Sequence, residues 1–480
     1  MIVFSFLLLF CSSKTIYLNV TAFENQNCED ELGCNIEIAN STIDVNDNII
    51  LLNPELEKEE ANRFILFINS TVSKNISLNG QSKNAIKSII SEPGFEASEL
   101  AAIHVENSTF SISNIQFKKF LIPVLNGLHS DYTIANCTFS ESKCTASALI
   151  AFVNSSVVFN SSVIRDNDAN SQSLFIAVNS SITFDHLNAS TNFMESRDVR
   201  ASFHFLNATA DFRNSLFFSN TLKLPLVASS NSSNVVFNNV IFDFNNVYTT
   251  VALEFNSSFS LHNSSFRNNR GGLAVGGFDC QINIIDSSLS KHTCDDMLII
   301  ASESDLSINN TKIIDSTIAS IAHINIEKNL TKEMTIQHVI LNEIQSKATL
   351  FSAIGGTVTF DDLSVEKIQS DSEIVIFSQQ MNGSTIIQNS YFNSIQSHSK
   401  VSAAFSVMNT TYIRLSNTTM TQNLICGGLF ENTSILVHDS NFSNNQCLPQ
   451  GNALPLALIT NSLCSNVTVR DSTFSTNTAL

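Results

Sequence analysis

From about Phe110 to its end the chain repeats one pattern of apolar and polar positions. The clearest copy is Phe259-Ser-Leu261-His-Asn263-Ser-Ser-Phe266-Arg-Asn-Asn269, followed by Gly271-Gly272-Leu273-Ala274. Two alternating apolar residues lead to Asn or Asp, then come a small residue and an apolar anchor, with Asn three positions further on. The anchor runs from Phe117 and Phe139 through Phe217, Phe242 and Phe266 to Phe442 and Phe474, at a mean spacing of about 25 residues. Five positions before each anchor the residue is always apolar. Seven before, it is apolar in every copy but one, where Thr385 stands. Period-2 alternation predicts a strand with one buried face. The Asn or Asp three before the anchor then turns the chain, because such side chains tolerate left-handed backbone and bond to neighbouring amides. Another apolar run upstream, as in Leu149–Val153 or Leu174–Val178, ends in Asn154 or Asn179. Each repeat therefore predicts about three short strands and three turns.

One such repeat cannot bury its own apolar face, so the copies must stack. The fold expected is all-β, a right-handed single-stranded parallel β-helix with coils of about 25 residues. A leucine-rich repeat has a comparable period but needs Leu in a fixed frame, and this chain uses Phe, Ile and Val. Residues 1–13 read as a signal peptide: an apolar run too short to span a bilayer, followed by small residues. Residues 14–109 read as an N-terminal cap with irregular opening coils, in which Glu55–Arg63 could form a short helix. Residues 110–480 form the repeats. They stop six residues after Phe474, inside a copy, which reads as a truncation.

Composition narrows the function classes. The net charge is −18, and no basic stripe exists to neutralise phosphates, which excludes nucleic acid as a partner. No transmembrane segment is visible. About twenty-two N-x-[ST] sequons fit a secreted or cell-surface location. Nine close the upstream strand of their coil and are the N-glycosylation candidates: Asn107, Asn154, Asn179, Asn207, Asn231, Asn256, Asn382, Asn409 and Asn432. Coils about 4.8 Å apart cannot all carry a bulky glycan, so partial occupancy is expected. No C-x-x-C pair occurs, which speaks against a zinc cluster. Disulfide candidates are Cys426 with Cys447, in the same turn of adjacent coils, and the local pairs Cys28–Cys34 and Cys137–Cys144.

The elements Phe217-x-x-Asn220, Phe242-x-x-Asn245, Phe266-x-x-Asn269, Phe442-x-x-Asn445 and Phe474-x-x-Asn477, with Gly271-Gly272-Leu273-Ala274, resemble the repeats of polymorphic outer-membrane proteins. Such repeats occur in chlamydial autotransporter adhesins and in surface proteins of trichomonad-like protists. The resemblance implies a β-helical surface protein. The Gly-Gly element is mostly absent from the other copies, and no translocation barrel follows.

No catalytic constellation emerges from the sequence. Asp362 fills the Asn turn position and Asp361 points outward. Asp295-Asp296 reads as a turn pair with no basic partner nearby in sequence. Arg414 and Arg470 lie outward, while His186 and His338 replace turn Asn. A sugar cleft would want Trp or Tyr as stacking platforms, and the chain has no Trp and only 5 Tyr. The expectation is a secreted or surface scaffold for adhesion, non-catalytic and without cofactor or metal, whose partners are host or neighbouring-cell glycans or proteins. The alternative is a carbohydrate-active enzyme of the pectate-lyase-like or polygalacturonase β-helix class. Enzymatic deglycosylation of secreted protein is expected to increase its gel mobility; an unchanged band would remove the sequons from the argument.

Overall fold

The computed structural model describes residues 101–447 apart from 121–122, 144–147, 169–172, 195–200, 327–331 and 400–401, together with residues 466–479 and short strands before 101 and at 459–461. The signal-peptide stretch 1–13, Cys28, Cys34, Cys144 and the side chain of Cys447 lie outside the described residues. All regular elements there are strands, and no helix is long and apolar enough to cross a membrane. The chain divides into two compact units, Met1–His204 with Ala208–Ala210, and Phe205–Asn207 with Asp211–Leu480.

Both units are built as a parallel β-solenoid. In the second, one coil comprises the strands Ser258–His262, Ser265–Arg267 and Arg270–Gly276. Each pairs in parallel with its counterparts one coil before and one coil after. The repeat positions stack without slip. Phe217, Phe242, Phe266, Leu289, Ile313, Leu341, Val365, Phe392, Met420, Phe442 and Phe474 form one column. In the first unit, Phe117, Phe139, Ile164 and Ala189 do the same. Rings lie nearly flat on one another where Phe follows Phe: Phe217 on Phe242 at 5.0 Å and 5°, and Phe242 on Phe266 at 4.2 Å and 12°. Stacked aromatics of this kind add to the energy of burial.

The outer turns follow the rule read from the sequence. Asn114, Asn136, Ser161, His186, Asn214, Asn239, Asn263, Asp286, Asn310, His338, Asp362, Asn389, Asn417, Asp439 and Asp471 all have φ between 46° and 58°. Their amides exchange hydrogen bonds between coils: Asn239 Nδ2 donates to Asn214 Oδ1 at 2.8 Å, and Asn417 Nδ2 to Asn389 Oδ1 at 2.9 Å.

A second column of asparagines is buried. The last residue of each F-x-x-N element points inward, with Asn220, Asn245 and Asn269 at most 4% exposed. Asn245 Nδ2 donates to the Phe217 carbonyl at 2.8 Å and to Asn269 Oδ1 at 3.0 Å. Its own Oδ1 accepts from the Asn220 backbone N–H at 3.1 Å and from Asn220 Nδ2 at 2.9 Å. Asn423 and Asn445 repeat the pattern. A turn that runs through the core leaves backbone groups facing inward, and each left unbonded costs about 1–3 kcal/mol. The buried amides supply their partners.

Two departures from the repeat have physical reasons. Thr385, the polar exception, is buried and donates to Gln379 Oε1, whose Nε2 donates to the carbonyls of Gly355 and Gly356. These two glycines have φ of 75° and 69°, so the polar column position closes a turn that departs from the pattern. His292 takes the buried Asn position after the Leu289 anchor. Its Nε2 donates to the Gly271 carbonyl at 2.7 Å, while Nδ1 is buried without a partner among the described residues. Burial, the larger effect, brings its pKa down to about 4, against the opposing pull of the Gly271 carbonyl.

Other expectations change. Glu55-Leu56, in the run that could form a short helix, is a strand paired with Ser88-Ile89. Parallel pairing also reaches upstream of residue 110, linking Thr15–Leu18, Asn48–Leu51, Asn75–Asn79 and Thr109–Ser113 in succession. Cys137 is a free, buried thiol that donates to the Ala135 carbonyl at 3.4 Å, in place of the bridge expected with Cys144. Burial pushes that thiol up to about 12. Cys280 and Cys294 are free as well, whereas Cys426 is not among the free thiols.

A His whose pKa falls on folding contributes stability that is present above its unfolded value and lost as pH falls through the folded one. Between pH 6.5 and about 4, His292 is therefore expected to withdraw up to about 3 kcal/mol. Urea unfolding of the wild type should show that loss, and His292→Asn, which restores the buried amide, should flatten it. Parallel pH dependences for the two proteins would contradict the assignment.

Candidate functional site

The third strands of three successive coils, Asn246–Leu253, Arg270–Gly276 and Thr293–Ser302, begin level, with Asn246 beside Arg270 and Arg270 beside Thr293. The register then slips. Asn246 to Thr249 spans three steps against two from Arg270 to Gly272, and Arg270 to Ala274 spans four against six from Thr293 to Ile299. Extra residues in a paired strand must bulge outward, and here they open a groove of about 320 Å³. Its walls carry Tyr248, Arg270, Asp295 and Asp296, with Gly271 and Gly272 among the lining residues.

Gly271 makes this geometry feasible. It has φ 114°, and a Cβ there would sit 1.7 Å from the Val247 carbonyl oxygen. The Gly-Gly element, nearly confined to this coil, thus lets two backbones approach at the groove.

Asp295-Asp296, expected in a turn with no basic partner nearby in sequence, is in a strand, and its basic partners come from other coils. The pair lies in a bulged strand, and Asp295 meets two cations: Lys347 Nζ at 2.8 Å and Arg270 Nη2 at 3.1 Å. These partners come from one and two coils away, so proximity in sequence could not reveal them. An offset of one coil between Arg270 and Asp295 was the available signal. Lys347, then Arg270, lowers the Asp295 pKa, so this carboxylate stays ionised, and Asp295 in turn raises that of Lys347. Tyr248 is 64% exposed and presents the ring that composition argued against. Cys294 also lines the groove, but burial, with lesser contributions from Asp296 and Asp295, pushes its thiol up to about 11. The shift disfavours the thiolate, the form in which a cysteine acts as a nucleophile.

The remaining candidates separate from this groove. Asp362 is a turn residue with φ 54°, and Asp361 accepts from Asn389 Nδ2 at 2.8 Å. His186 is exposed beside Asp185 at 3.0 Å, and His338 holds the turn with φ 51°. Ligand-type atoms of His438, Asp439 and Asp471 lie within 4.8 Å of one another at outer turns. All nine sequon asparagines are exposed; eight have positive φ, and Asn382 follows Met381, which takes that conformation instead.

No protein-family model matches the chain, and no curated protein matches it. Among solved structures it is similar to the periplasmic alginate epimerase AlgG, at 9% identity over 80% of this chain and 78% of that one, with a TM-score of 0.28. It is also similar to the PL6 family alginate lyase AlyGC, at 10% identity over 92% and 98%, with a TM-score of 0.19. The A-module of the mannuronan C-5 epimerase AlgE6 from Azotobacter vinelandii matches at 10% identity over 87% and 94%, with a TM-score of 0.21. Likeness at this level carries no argument, and the solenoid fold rests on the strand pairing itself. The proteins so matched are alginate lyases and epimerases, in contrast to the non-catalytic chain expected from the sequence.

Gly271→Ala is expected to destabilise the protein by about 3 kcal/mol or more, since neither the φ nor the Val247 carbonyl accommodates a methyl group. Gly277→Ala, where the Cβ would have 3.2 Å to the nearest atom, should cost less. Equal effects in chemical denaturation would contradict the close approach.

Proposed function

We propose that the chain is a carbohydrate-active β-solenoid protein that holds an acidic polysaccharide in the groove between Tyr248 and the Asp295-Asp296 bulge. The observation that carries this reading is the convergence of an exposed ring, two carboxylates and two cations where three coils bulge together. A pyranose ring can cover the Tyr248 face, which is apolar in its body and polar at its tip. Arg270 and Lys347 give a uronate carboxylate a local cationic contact on a chain that is otherwise acidic. Breaking a glycosidic bond by hydrolysis commonly uses two carboxylates in separate roles. Asp295, kept ionised by its two cations, suits the charge-stabilising role, and Asp296 is the second carboxylate. The polymer would be met outside the cell, on a host or neighbouring surface. The exposed sequons and the N-terminal apolar run support that location.

Purified full-length protein, incubated with alginate, pectate and a neutral glucan, should release reducing ends or unsaturated uronate from an acidic polymer. Asp296→Asn is expected to lower kcat on the order of 100-fold, and Tyr248→Ala to raise KM about tenfold. Asp361→Asn, away from the groove, should change neither. Turnover lost equally in Asp361→Asn, or neither turnover nor saturable binding on any polymer, would overturn the reading.

A further inference from the structure

We infer that Asn256 carries an N-linked glycan whose first sugar lies on the exposed rings of Phe255 and Phe278. The pairing of Asn234 with Ser258, and of Ser258 with Gln281, places Ser232, Asn256 and Asp279 level on one outer turn, and Asn231, Phe255 and Phe278 level beside them. The Asn256 backbone N–H donates to the Phe278 carbonyl at 3.1 Å, which locks the two turns together. Phe255 is 61% and Phe278 49% exposed, so two large rings face water side by side on a hydrophilic edge. Phe255 also sits at φ 41°, a conformation that bulky residues seldom adopt. Exposed apolar surface held in a strained turn calls for something to cover it. The C–H face of a pyranose has the required shape and polarity, and the sequon Asn256-Ser257-Ser258 is the covalent anchor beside it.

Crowding leaves the same site free. Asn154 and Asn179 stand level in neighbouring coils, as do Asn409 and Asn432, whose amides bond at 2.8 Å. Strand neighbours about 4.8 Å apart leave each of those pairs room for one glycan. Asn256 has Ser232 and Asp279 on its two sides, and neither accepts an N-glycan. Asn231, a sequon level with Phe255, is the neighbour to be separated by experiment.

In the transfer, Asn256 Nδ2 bonds to the anomeric carbon of a lipid-diphosphate-linked oligosaccharide. The bond from that carbon to the diphosphate oxygen breaks, the lipid diphosphate leaves, and Nδ2 gives up one proton. The donor belongs to a eukaryotic secretory pathway, and the rings receive the sugar when the chain folds. This inference is independent of the groove, so each can fail alone.

Full-length protein secreted from a eukaryotic host is digested with peptide N-glycosidase in heavy-oxygen water, and labelled sites are mapped by mass spectrometry. Asn256 should be occupied in most molecules, and more often than either member of the Asn409/Asn432 pair. Asn256→Gln should lower Tm by about 2 °C. Its effect should vanish in a Phe255→Ala/Phe278→Ala background and in unglycosylated protein from bacterial cytoplasm, and persist in Asn231→Gln. An unmodified Asn256, or a Tm loss unaltered by removing both rings, would overturn the inference.

Discussion

The structure depends on the anchor strands and outer turns of each coil following the same backbone path as those of its neighbours. Parallel pairing without slip requires it, because each strand's hydrogen bonds are made by the coils on either side. The hardest place to meet this requirement is the turn that passes through the core, where backbone groups would face hydrocarbon. The buried amides meet it side chain to backbone and side chain to side chain: Asn245 bonds to the coils on both sides of it, and Asn269 bonds back to Asn245 and the Phe242 carbonyl. An apolar side chain at that position would fill the volume and leave the backbone unbonded. The Phe column and the Asn column are thus two halves of one solution, the first excluding water and the second replacing it.

Where one half changes, the other responds. At His292 the ring reaches Gly271 instead of continuing the amide chain, and the strand that follows it in the same coil is the one that bulges. At Thr385 the polar residue belongs to a closed set with Gln379 and two left-handed glycines. Irregular coils are therefore complete local arrangements, each with its own hydrogen-bond inventory. The groove occupies one of these places, consistent with sites arising where a regular scaffold is interrupted.

Much of the fold was legible because stacked repeats write a three-dimensional column as a sequence period. The anchors and the turn residues fell into register as the spacing predicted, including Ser161, His186 and His338 in place of Asn. The inward direction of the F-x-x-N asparagine was not legible, since Asn reads equally as a solvated turn residue. The site was harder still. Arg270 and Lys347 reach Asp295 across 25 and 52 residues, and the bulge that exposes Asp295-Asp296 comes from a difference in length between neighbouring strands. Glu55-Leu56 shows the converse error, a charged run read by propensity when pairing with Ser88-Ile89 decides its form.

Gly271 gives the groove an asymmetric capacity for change. Its walls are side chains on exposed strand positions, and each can be exchanged without moving backbone. Its floor is a contact between the Val247 carbonyl and a residue that has no side chain. Single substitutions can therefore alter the chemistry of the groove's walls, whereas its position along the solenoid is fixed by the backbone. Moving it would require a new strand-length mismatch and a new glycine in the same coil, two changes that are of little use apart.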